Sequence, residues 1–494
     1  MSRSSRFAPV PTLRVNRCNS APVRRDADYV LYWSLTARRP TWNFSLQRAI
    51  DWALELARPL LILETVICDY PWASDRLPQF ILEGMAANAQ RFADQPVMYY
   101  PYIEREPGRC AQLLDALVRH ACLVVTDEFP CFFLPRYVAA AARALPALVE
   151  QVDSNGLLPL RAAPTVFPTA YAFRRFFQRT ARSHLLDFPR PDPLKGAQLP
   201  RLKVLPADIA RKLQKSEAEL RNPVAAVRKL PIDHSVSAGR VRGGADSAQA
   251  LLRQFVATRL AAYREQRNEP EKDASSGLSP YLHFGHISVH EVFDAVSHSE
   301  EWTPDKLSDS TAGKREGWWG MSPSAEGFLD ELITWRELGF NYCFHRDDYD
   351  QFESLPDWAR VTLQKHASDR RKYVYELGEF EQARTHDVLW NAAQLQIVRE
   401  GRMHNYLRML WGKKILEWSR TPQVALRIMI ELNNKYGLDG RDPNSYTGIM
   451  WVLGRFDRPW APEREIFGVV RYMSSENTAR KFRVKDYIAR YAPG

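Results

Sequence analysis

A chain of 494 residues is too long for one ordinary hydrophobic core, so the sequence predicts two or three domains. No apolar run reaches the roughly 18 residues that a transmembrane helix requires, and we expect no membrane partner. The formal net charge of +10 suits a nucleic-acid partner, but a basic protein without such a partner fits the charge equally well.

Six cysteines are scattered along the chain with no CxxC pair. Such spacing favours reduced thiols over disulfides, and it predicts no metal site. The amino-terminal segment is basic and lacks an apolar stretch, so we expect a flexible leader over residues 1–25 and no secretion signal. The expected compartment is the cytoplasm, with nucleoid association, in a bacterium, and the nucleus or an organelle in a eukaryote.

Residues 26–185 alternate between short apolar runs and helical patterns. The runs DYVLYW, PLLILETVI, PVMYYPYI and CLVVTDE are separated by segments with helical spacing, which is typical of βαβ units. We therefore predict a doubly wound, Rossmann-like parallel sheet, although the dinucleotide fingerprint GxGxxG is absent. Asp127 and Asp153 follow strand ends, where such sheets bind ligands, but solvated turns are the simpler interpretation of each.

The composition changes twice after this domain. Residues 186–246 are rich in proline, then in glycine and arginine, and they predict an interdomain connector rather than a long helix or a central strand. Helical patterns dominate residues 247–494, and strand signals nearly vanish there. The sequence thus predicts an α/β domain joined by a long connector to an all-helical domain.

The segment SSGLSPYLHFGHIS begins at Ser275 and offers hydroxyl groups and a glycine before a helix start. Such groups can bind phosphate, but helix capping is the simpler interpretation of this segment taken alone. In FLDELITWREL, Glu331 and Trp335 lie four residues apart on one helix face. An acid beside an indole suits a planar polar ligand, whereas a surface acid next to a core tryptophan is the plain alternative.

The stretch from Thr385 to Trp451 combines tryptophans with a polar loop. Trp411 and Trp418 are two helical turns apart, about 10 Å along the axis, and this spacing permits electron hopping if Trp390 lies between them. The alternative is a row of tryptophans that only packs in the hydrophobic core. The following loop supplies amide and charged groups that suit a polar heterocycle. Its polar residues are Asn433, Asn434, Asp439, Arg441 and Asp442.

A third aromatic segment, MWVLGRFDRPWAPEREIFGVVRYM, interleaves tryptophans with arginines. Trp451 and Trp460 flank Arg455, Asp457 and Arg458. This pattern is typical of a loop that stacks on bases while its cations contact phosphates. A solvated surface loop is an equally good interpretation.

Together, the motifs GLSPYLHFG, DELITWREL, THDVLWNAAQLQIVREGRMH, RMLWGKKILEW, LDGRDPN and WAPEREIFGVVRYM resemble class II cyclobutane pyrimidine dimer (CPD) photolyases of the photolyase/cryptochrome family. The resemblance covers nearly the whole helical half at close spacing, and the α/β half more loosely. It implies a light-driven DNA repair enzyme, a carbon–carbon lyase, in which reduced FAD donates an electron to a dimer flipped out of double-stranded DNA. It also implies an antenna chromophore, of deazaflavin or folate type, in the α/β domain, and we expect a monomer.

The resemblance carries roles over residue by residue. Glu331 would hydrogen-bond the dimer and stabilise its radical anion, while Asn433 would face the flavin N5 and Arg408 and Asp439 would flank its ring system. The implied cofactor-binding residues are Tyr263, Ser275, Ser276, Gly277, Leu278, Ser279, Arg408, Asn433 and Asp439. The implied electron-transfer residues, in order outward from the flavin, are Trp411, Trp390 and Trp418. The expected lesion and DNA contacts are Trp335, Met409, Trp451, Arg441, Arg458 and Trp460, of which Arg458 and Trp460 would enter the gap left by the dimer.

Three features depart from the family pattern. Leu410 stands where a tyrosine beside the proximal tryptophan is expected. The loop 454–457 is one residue short and lacks a histidine, so the gap in the duplex is expected to be filled differently. The loop 36–43 lacks the expected acidic character.

Two alternatives remain open at this point. The first is a cryptochrome-like flavin photoreceptor without repair activity. The second is a light-independent protein that binds damaged DNA through its basic surface alone.

Overall fold

The structure, a computed structural model, describes residues 9–206, 209, 213 and 215–493. Residues 1–8 of the predicted leader, and a few positions of the predicted connector, lie outside these residues. The described chain forms two compact units. The first takes its residues from 1–164, 181–253 and 278–296, and the second from 165–180, 254–277 and 297–494. These units are discontinuous in sequence, whereas the sequence predicted continuous ranges.

The first unit contains a six-stranded sheet in the order β1-β6-β5-β2-β3-β4. Its strands are β1 (Val15–Arg17), β2 (Tyr29–Ser34), β3 (Leu60–Val66), β4 (Val97–Ile103), β5 (Ala121–Asp127) and β6 (Val149–Val152). Strands β2 to β6 pair in parallel, and β1 adds an antiparallel edge that the sequence did not predict. The central strands β2, β3 and β5 are buried along their whole lengths, which explains their continuous apolar runs.

Helices connect the strands and then make up most of the second unit. In chain order they are Phe44–Glu55, Arg76–Phe92, Arg109–Val118, Leu134–Ala144, Ala170–Thr180, Pro223–Val227, Ala245–Thr258, Tyr263–Gln266, Ser279–His283, Val289–Ser299, Pro323–Leu329, Arg336–His345, Asp357–Lys365, Leu377–Glu381, Val388–Glu400, Asn405–Trp418, Pro422–Tyr436, Pro443–Val452, Ser475–Lys481 and Lys485–Arg490. Short 3-10 turns lie at Thr12–Arg14, Leu160–Ala162, Ala181–Ser183, Glu219–Arg221, Leu260–Ala262, Pro304–Lys306 and Phe352–Ser354. Among these helices, none is both long and apolar enough to cross a bilayer.

The carboxyl end of β5 does not carry a solvated turn. Asp127 is buried, and its carboxylate accepts hydrogen bonds from the backbone N–H groups of Leu35, Thr36 and Ala37, at 2.8, 2.8 and 2.9 Å. The hydroxyl of Tyr32 donates to the same carboxylate at 2.9 Å. Three successive backbone donors form a site that would otherwise suit an anionic ligand. Asp127 therefore fills the position that the sequence assigned either to a ligand or to water.

The loop after β2 is held from within the first unit. Arg38 forms an ion pair with Glu64 at 3.1 Å, and Arg39 donates to the carbonyl oxygen of Gly285 at 3.0 Å. A Cβ atom at Gly285 would lie 1.6 Å from the carbonyl oxygen of Thr36, and its φ is +70°. Only glycine fits this close approach. The basic residues that departed from the family pattern thus have structural roles in this loop.

The helices of the second unit approach closely at Gly412. Its helix, Asn405–Trp418, packs against Pro422–Tyr436 and Pro443–Val452. A Cβ atom at Gly412 would lie 2.5 Å from Cγ2 of Val452 and 3.1 Å from the sulfur of Met429. The absent side chain lets the three helices meet. They carry six of the residues that the sequence assigned to a site: Arg408, Met409, Trp411, Trp418, Asn433 and Trp451.

We predict that Asp127→Asn lowers the free energy of unfolding by about 3 kcal/mol, because an amide cannot accept from three backbone donors and a hydroxyl at once. Denaturant unfolding of the first unit measures the change. The matched control is Asp115→Asn, which removes an exposed carboxylate paired with Arg119 and should change stability by less than about 0.5 kcal/mol. Equal stability of the two variants would contradict the conclusion that the Asp127 carboxylate holds the backbone of residues 35–37 in place.

Candidate functional site

The polar loop between Pro422–Tyr436 and Pro443–Val452 is organised by Arg441. This residue is buried with φ +64°, and its guanidinium donates to the carbonyl oxygens of Asn434, Gly437 and Leu438, the last two at 3.0 and 3.3 Å. Its backbone N–H donates to the side-chain oxygen of Asn434 at 2.9 Å. The predicted DNA contact of Arg441 is therefore corrected, because the guanidinium is turned into the loop and holds it together.

The clamped loop fixes the amide of Asn433. This side chain is buried, and its nitrogen donates to the hydroxyl of Ser445 at 2.5 Å and to the side-chain oxygen of Asn434 at 3.3 Å. A Cβ atom at Gly440 would lie 2.7 Å from the carbonyl oxygen of Asn433, so the turn comes too close to the helix for any larger residue. The predicted flavin contact, Asn433, is thus a rigid amide.

Arg408 and Asp439 form the charged pair that the sequence predicted. Two parallel hydrogen bonds, of 3.2 and 2.9 Å, join the guanidinium to the carboxylate, and each side chain is 19% exposed. This two-point geometry fixes both groups. The Nε–H of Arg408 is buried and has no hydrogen-bond partner among the residues that the structure describes. A buried donor of this kind suits an acceptor atom of a ligand.

One face of the helix Pro443–Val452 lines an opening. Ser445, Gly448 and Trp451 lie three residues apart and share this face. A Cβ atom at Gly448 would meet only the terminal methyl group of Met409, at 3.9 Å. Met409 and Trp451, the predicted lesion contacts, therefore border free space next to the fixed amide of Asn433.

Glu331 and Trp335 lie on a π-helical segment, Asp330–Trp335, rather than on a regular helix. Such segments recur at functional sites because they turn side chains out of the regular register. The carboxylate of Asp330 is held by two hydrogen bonds from Arg174, at 2.7 and 3.1 Å. Glu331 and Trp335 are each partly exposed. Arg174 thus anchors the segment at Asp330, while the carboxylate of Glu331 and the indole of Trp335 stay accessible to a ligand.

Arg267 forms an ion pair with Glu331, and its guanidinium lies 5.6 Å from the ring centroid of Tyr263. Burial, and then the negative charge of Glu331, raises the pKa of Tyr263 to about 12. The structure therefore places the predicted cofactor residue Tyr263 next to the predicted lesion residue Glu331. Arg267 joins them, and the sequence interpretation missed it.

The predicted phosphate cradle is divided between the two units. Ser275, Ser276 and Gly277 belong to the second unit, whereas Leu278 and Ser279 belong to the first, where Ser279 begins a five-residue helix. Gly277 has φ +70°. The joint role of these five residues stays a prediction.

The three predicted electron-transfer tryptophans come together in the second unit. All are buried, and the ring centroids of Trp390 and Trp418 are 6.0 Å apart. The indole N–H of Trp390 donates to the carbonyl oxygen of Trp411 at 3.0 Å, and that of Trp411 donates to Gln394 at 2.9 Å. Leu410, which replaces the expected tyrosine, is buried too.

Trp451 belongs to a stack of alternating cations and indoles. Lys413 lies 4.9 Å and Arg471 lies 5.6 Å from its ring centroid. Arg471 also lies 3.9 Å from the centroid of Trp460, over which Arg458 lies at 4.5 Å. The predicted lesion wall and the predicted gap-filling pair are thus continuous through Arg471.

No family model matches the chain. The chain is 34% identical to the deoxyribodipyrimidine photo-lyase of Methanothermobacter thermautotrophicus over 477 residues, which cover 97% of each chain. It is 32% identical to the deoxyribodipyrimidine photo-lyase of Potorous tridactylus over 508 residues, which cover 99% of this chain and 88% of the relative. The chain belongs to the deoxyribodipyrimidine photo-lyase family.

Two further comparisons refine this finding. A class III photolyase of Agrobacterium tumefaciens has the same fold, with a TM-score of 0.66 at 18% identity over 94% of this chain and 86% of that chain. Cryptochrome-2 of Arabidopsis thaliana matches only 44% of this chain, at 29% identity. The predicted family and the predicted fold class, a parallel sheet followed by a helical domain, are confirmed.

In this photolyase chain, the residues of the second unit fit a flavin. A planar, polar heterocycle needs fixed donors and acceptors at its edge and open space at its face. Asn433 and the Arg408–Asp439 pair supply the edge groups, including the unused N–H of Arg408, and Gly448 leaves the space.

Three residues of this photolyase contact the candidate site but were not predicted from the sequence. Arg267 is four positions after Tyr263, a spacing that places the two on one helix face. Lys413 stands in an apolar helical pattern, which is a signal for a buried lysine. Arg471 has no sequence signal that distinguishes it from other surface arginines.

Lys413 gives a pH prediction. Its ammonium nitrogen is buried and donates to the carbonyl oxygen of Val452 at 2.6 Å, and burial lowers the pKa of Lys413 to about 7. Between pH 7 and 10 the unfolded chain therefore binds more protons at this lysine than the folded chain, so folding stability rises with pH. We expect the difference in unfolding free energy between the wild type and Lys413→Met to rise by about 3 kcal/mol over this range.

Denaturant unfolding at several pH values measures this difference. Lys485→Met, which removes an exposed ammonium, is the control and should give a constant difference from the wild type. A constant difference for Lys413→Met as well would contradict a lowered pKa of Lys413.

Proposed function

We propose that this chain is a class II CPD photolyase, which repairs cyclobutane pyrimidine dimers in double-stranded DNA with the energy of light. The observation that carries this proposal is the pairing of Glu331 and Trp335 on one anchored segment in the unit that also holds the buried tryptophan cluster. Membership of the photolyase family supports it, as does the agreement of the motifs along the helical half.

We propose that FAD binds non-covalently in the second unit. Asn433 and the Arg408–Asp439 pair would hold its ring system, and Tyr263 with the hydroxyl groups of Ser275 and Ser276 would hold the rest. When bound and fully reduced, FAD supplies the electron that light transfers to the dimer. The protein's own contribution is rigidity, because the amide of Asn433 donates to Ser445 and to Asn434, and Arg441 in turn holds Asn434.

The lesion would enter the opening beside Gly448, between Trp335 and Trp451 and against Met409. Glu331 would accept hydrogen bonds from N–H groups at the base edges, because its carboxylate retains acceptor sites after pairing with Arg267. Arg267 holds this carboxylate in place. Trp335 and Trp451 exclude water from the dimer and give it flat contact surfaces.

Arg458 and Trp460 would occupy the gap that the flipped dimer leaves in the duplex. Their stack continues through Arg471 to Trp451, so the residues that touch the lesion and those that replace it are mechanically linked. The basic charge of the chain would then bind phosphates on either side.

Two other functions are less well supported. A cryptochrome-like photoreceptor would keep the flavin residues but has no use for the acid and indole of the Asp330–Trp335 segment, and the cryptochrome match covers less than half of the chain. A light-independent DNA-binding protein would not need three buried tryptophans of which Trp390 contacts both Trp411 and Trp418.

The remaining assignments are proposals of lower detail. We propose a monomer and a compartment that contains DNA. We propose an antenna chromophore of deazaflavin or folate type in the first unit; the three backbone donors after β2 would not hold it, because Asp127 already occupies them.

We predict that Glu331→Ala retains FAD and binds dimer-containing DNA but lowers the repair yield by roughly tenfold, because a hydrogen bond to a charged intermediate is lost. Illumination of reduced protein with thymine-dimer DNA, followed by counting of residual dimers, measures the yield. Glu316→Gln, which alters an exposed carboxylate paired with Arg264, is the control. Normal repair by Glu331→Ala would overturn the role of Glu331, and unchanged dimers with the wild type would overturn the proposed function.

We predict that Trp390→Phe blocks photoreduction of the bound flavin but leaves repair by chemically reduced protein intact, because phenylalanine is too hard to oxidise to relay an electron. Absorption spectra during illumination follow the reduction. Trp302→Phe, which alters a tryptophan packed on Trp319 instead, should behave as the wild type. Photoreduction at the normal rate in Trp390→Phe would exclude the proposed hopping route.

A further inference from the structure

The segment WAPEREIFGVVRYM contains an acid, Glu463, whose role the proposed function does not explain. Glu463 lies three residues after Trp460 and is exposed. Its carboxylate contacts Nζ of Lys365 at 2.9 and 3.0 Å and Nε2 of His366 at 2.8 Å. Both partners lie at the carboxyl end of the helix Asp357–Lys365, in the same unit. The acid therefore ties the loop that carries the gap-filling pair to a helix.

His366 has a second carboxylate at its other ring nitrogen. Nδ1 lies 2.6 Å from the carboxylate of Asp369, and the same oxygen of Asp369 accepts the backbone N–H of Ile466 at 2.8 Å. The imidazole thus stands between two acids. Only an imidazolium ion can donate to both, because a neutral imidazole has a single N–H. Residues 457–471, here called the gap loop, are therefore joined to His366 both directly and through Asp369.

The gap loop needs such anchors because its backbone is strained at Ile466. This buried, β-branched residue has φ +67°, in the left-handed region that such side chains rarely adopt. A conformation of this kind persists only where the surrounding contacts hold it. Asp369 holds the N–H group of Ile466, and the hydroxyl of Thr362 holds that of Val469 at 3.1 Å. Loss of the Asp369 contact therefore lets the loop relax.

The strained part of the gap loop is coupled to Trp460. The backbone N–H of Trp460 donates to the carbonyl oxygen of Val469 at 2.8 Å, so the two ends of the loop move together. At Gly468 the loop approaches the helix so closely that a Cβ atom would lie 1.9 Å from Oγ1 of Thr362. The indole N–H of Trp460 donates to Asp457 at 3.2 Å. A shift of the loop against the helix therefore displaces the indole that would enter the duplex.

We propose that His366 is a positioning residue for lesion recognition: as an imidazolium ion it holds two carboxylates and so presents Trp460 in the conformation that enters the gap in the duplex. This proposal rests on the proposed function, in which Arg458 and Trp460 replace the flipped dimer. A second effect acts in the same direction. Glu463 is exposed near these residues, and its pairing with two cations offsets a negative charge that would repel the phosphates of DNA.

The surroundings of His366 favour the charged ring. Hydrogen bonds to Glu463 and then to Asp369 raise the pKa of His366 above its ordinary value of 6.5, and partial burial opposes this rise. The cluster also contains Lys365, which pairs with Glu463, and Arg371, which lies near Asp369. The contacts of the imidazolium ion are therefore complete below pH 6.5 and are lost as the pH rises through the raised pKa of His366.

DNA binding in the dark tests this proposal. The probes are a duplex with one cyclobutane thymine dimer and the same duplex without it, and fluorescence anisotropy gives both dissociation constants at about pH 6 and about pH 9. At the lower pH, the preference of the wild type for the dimer duplex should exceed that of His366→Gln roughly fivefold, because the amide is never charged. At the higher pH the two proteins should be equal. Lys413 titrates in the same range, and His366→Gln keeps this lysine, so the comparison isolates the imidazole.

Two further variants serve as matched controls. His366→Arg keeps a cation that can pair with both carboxylates, so it should keep the wild-type preference at the lower pH and retain it at the higher pH. His120→Gln removes a partly exposed histidine paired with Asp28 in the first unit, and it should follow the wild type. On dimer duplex saturated with protein, His366→Gln should repair at the wild-type rate per absorbed photon, because the variant alters how tightly the lesion is held and not the groups proposed to contact it.

The pKa of His366 gives a measurement that needs neither DNA nor cofactor. Carbon NMR of protein labelled at histidine should show a pKa above the ordinary value in the wild type and a lower one in Glu463→Gln, because the strongest hydrogen bond to the charged ring is weakened. The spectrum of His366→Gln assigns the resonance. An ordinary pKa of His366 in the wild type overturns the charged state on which the proposal depends.

The outcomes separate this proposal from the proposed function. A preference of His366→Gln equal to that of the wild type at the lower pH, or a deficit that is unchanged at the higher pH, overturns the role of His366. Loss of the preference in His366→Arg at the lower pH overturns the requirement for a charge. Equal affinity of the wild type for the two duplexes at both pH values overturns the proposed function itself.

Discussion

The site of the second unit depends on one buried cation. The guanidinium and the backbone N–H of Arg441 donate hydrogen bonds to oxygen atoms of the loop and of Asn434. A buried charge is costly unless it is fully hydrogen-bonded, so the loop can fold only in the conformation that surrounds this guanidinium. That conformation places Asp439 against Arg408 and directs Asn433 towards Ser445. The positions of three predicted cofactor residues thus follow from the satisfaction of one arginine.

The fold was largely predictable because its signals are local. Continuous apolar runs predicted the parallel strands, and helical spacing predicted the second half, since both patterns depend only on which faces are buried. The antiparallel edge strand Val15–Arg17 carries no such signal because it has three residues and none of them is fully buried. The discontinuous units were beyond reach as well, since contacts between distant segments such as Arg174 and Asp330 leave no periodicity in the sequence.

The candidate site was predictable in part. The motifs named Glu331, Trp335 and the tryptophans, but motifs give residue identity and spacing rather than partners. Arg441 illustrates the limit. An arginine in a polar loop predicts a contact with a ligand, but its guanidinium points into the loop, where it donates to a backbone carbonyl oxygen. Every sequence has such oxygens, so nothing in the sequence distinguishes them. Asp127 illustrates the same limit in the first unit: this acid at the end of a strand accepts hydrogen bonds from backbone N–H groups instead of binding a ligand. In both cases the deciding partner is main chain, which sequence patterns do not reveal.

The aromatic and charged residues of the second unit divide two tasks that would interfere if they were shared. Trp451, the proposed lesion wall, lies between Lys413 and Arg471, and Arg471 is in turn paired with Asp457. The proposed electron route runs instead through Trp390 and Trp418, whose ring centroids are 6.0 Å apart and which both contact Phe380. A lysine lies over each ring, Lys413 at 4.9 Å from the centroid of Trp451 and Lys414 at 5.4 Å from that of Trp418, so positive charge alone does not separate the two tasks. What differs is exposure: Trp451 is partly exposed and can serve as a contact surface, whereas Trp390 and Trp418 are buried, as an electron carrier inside the protein must be.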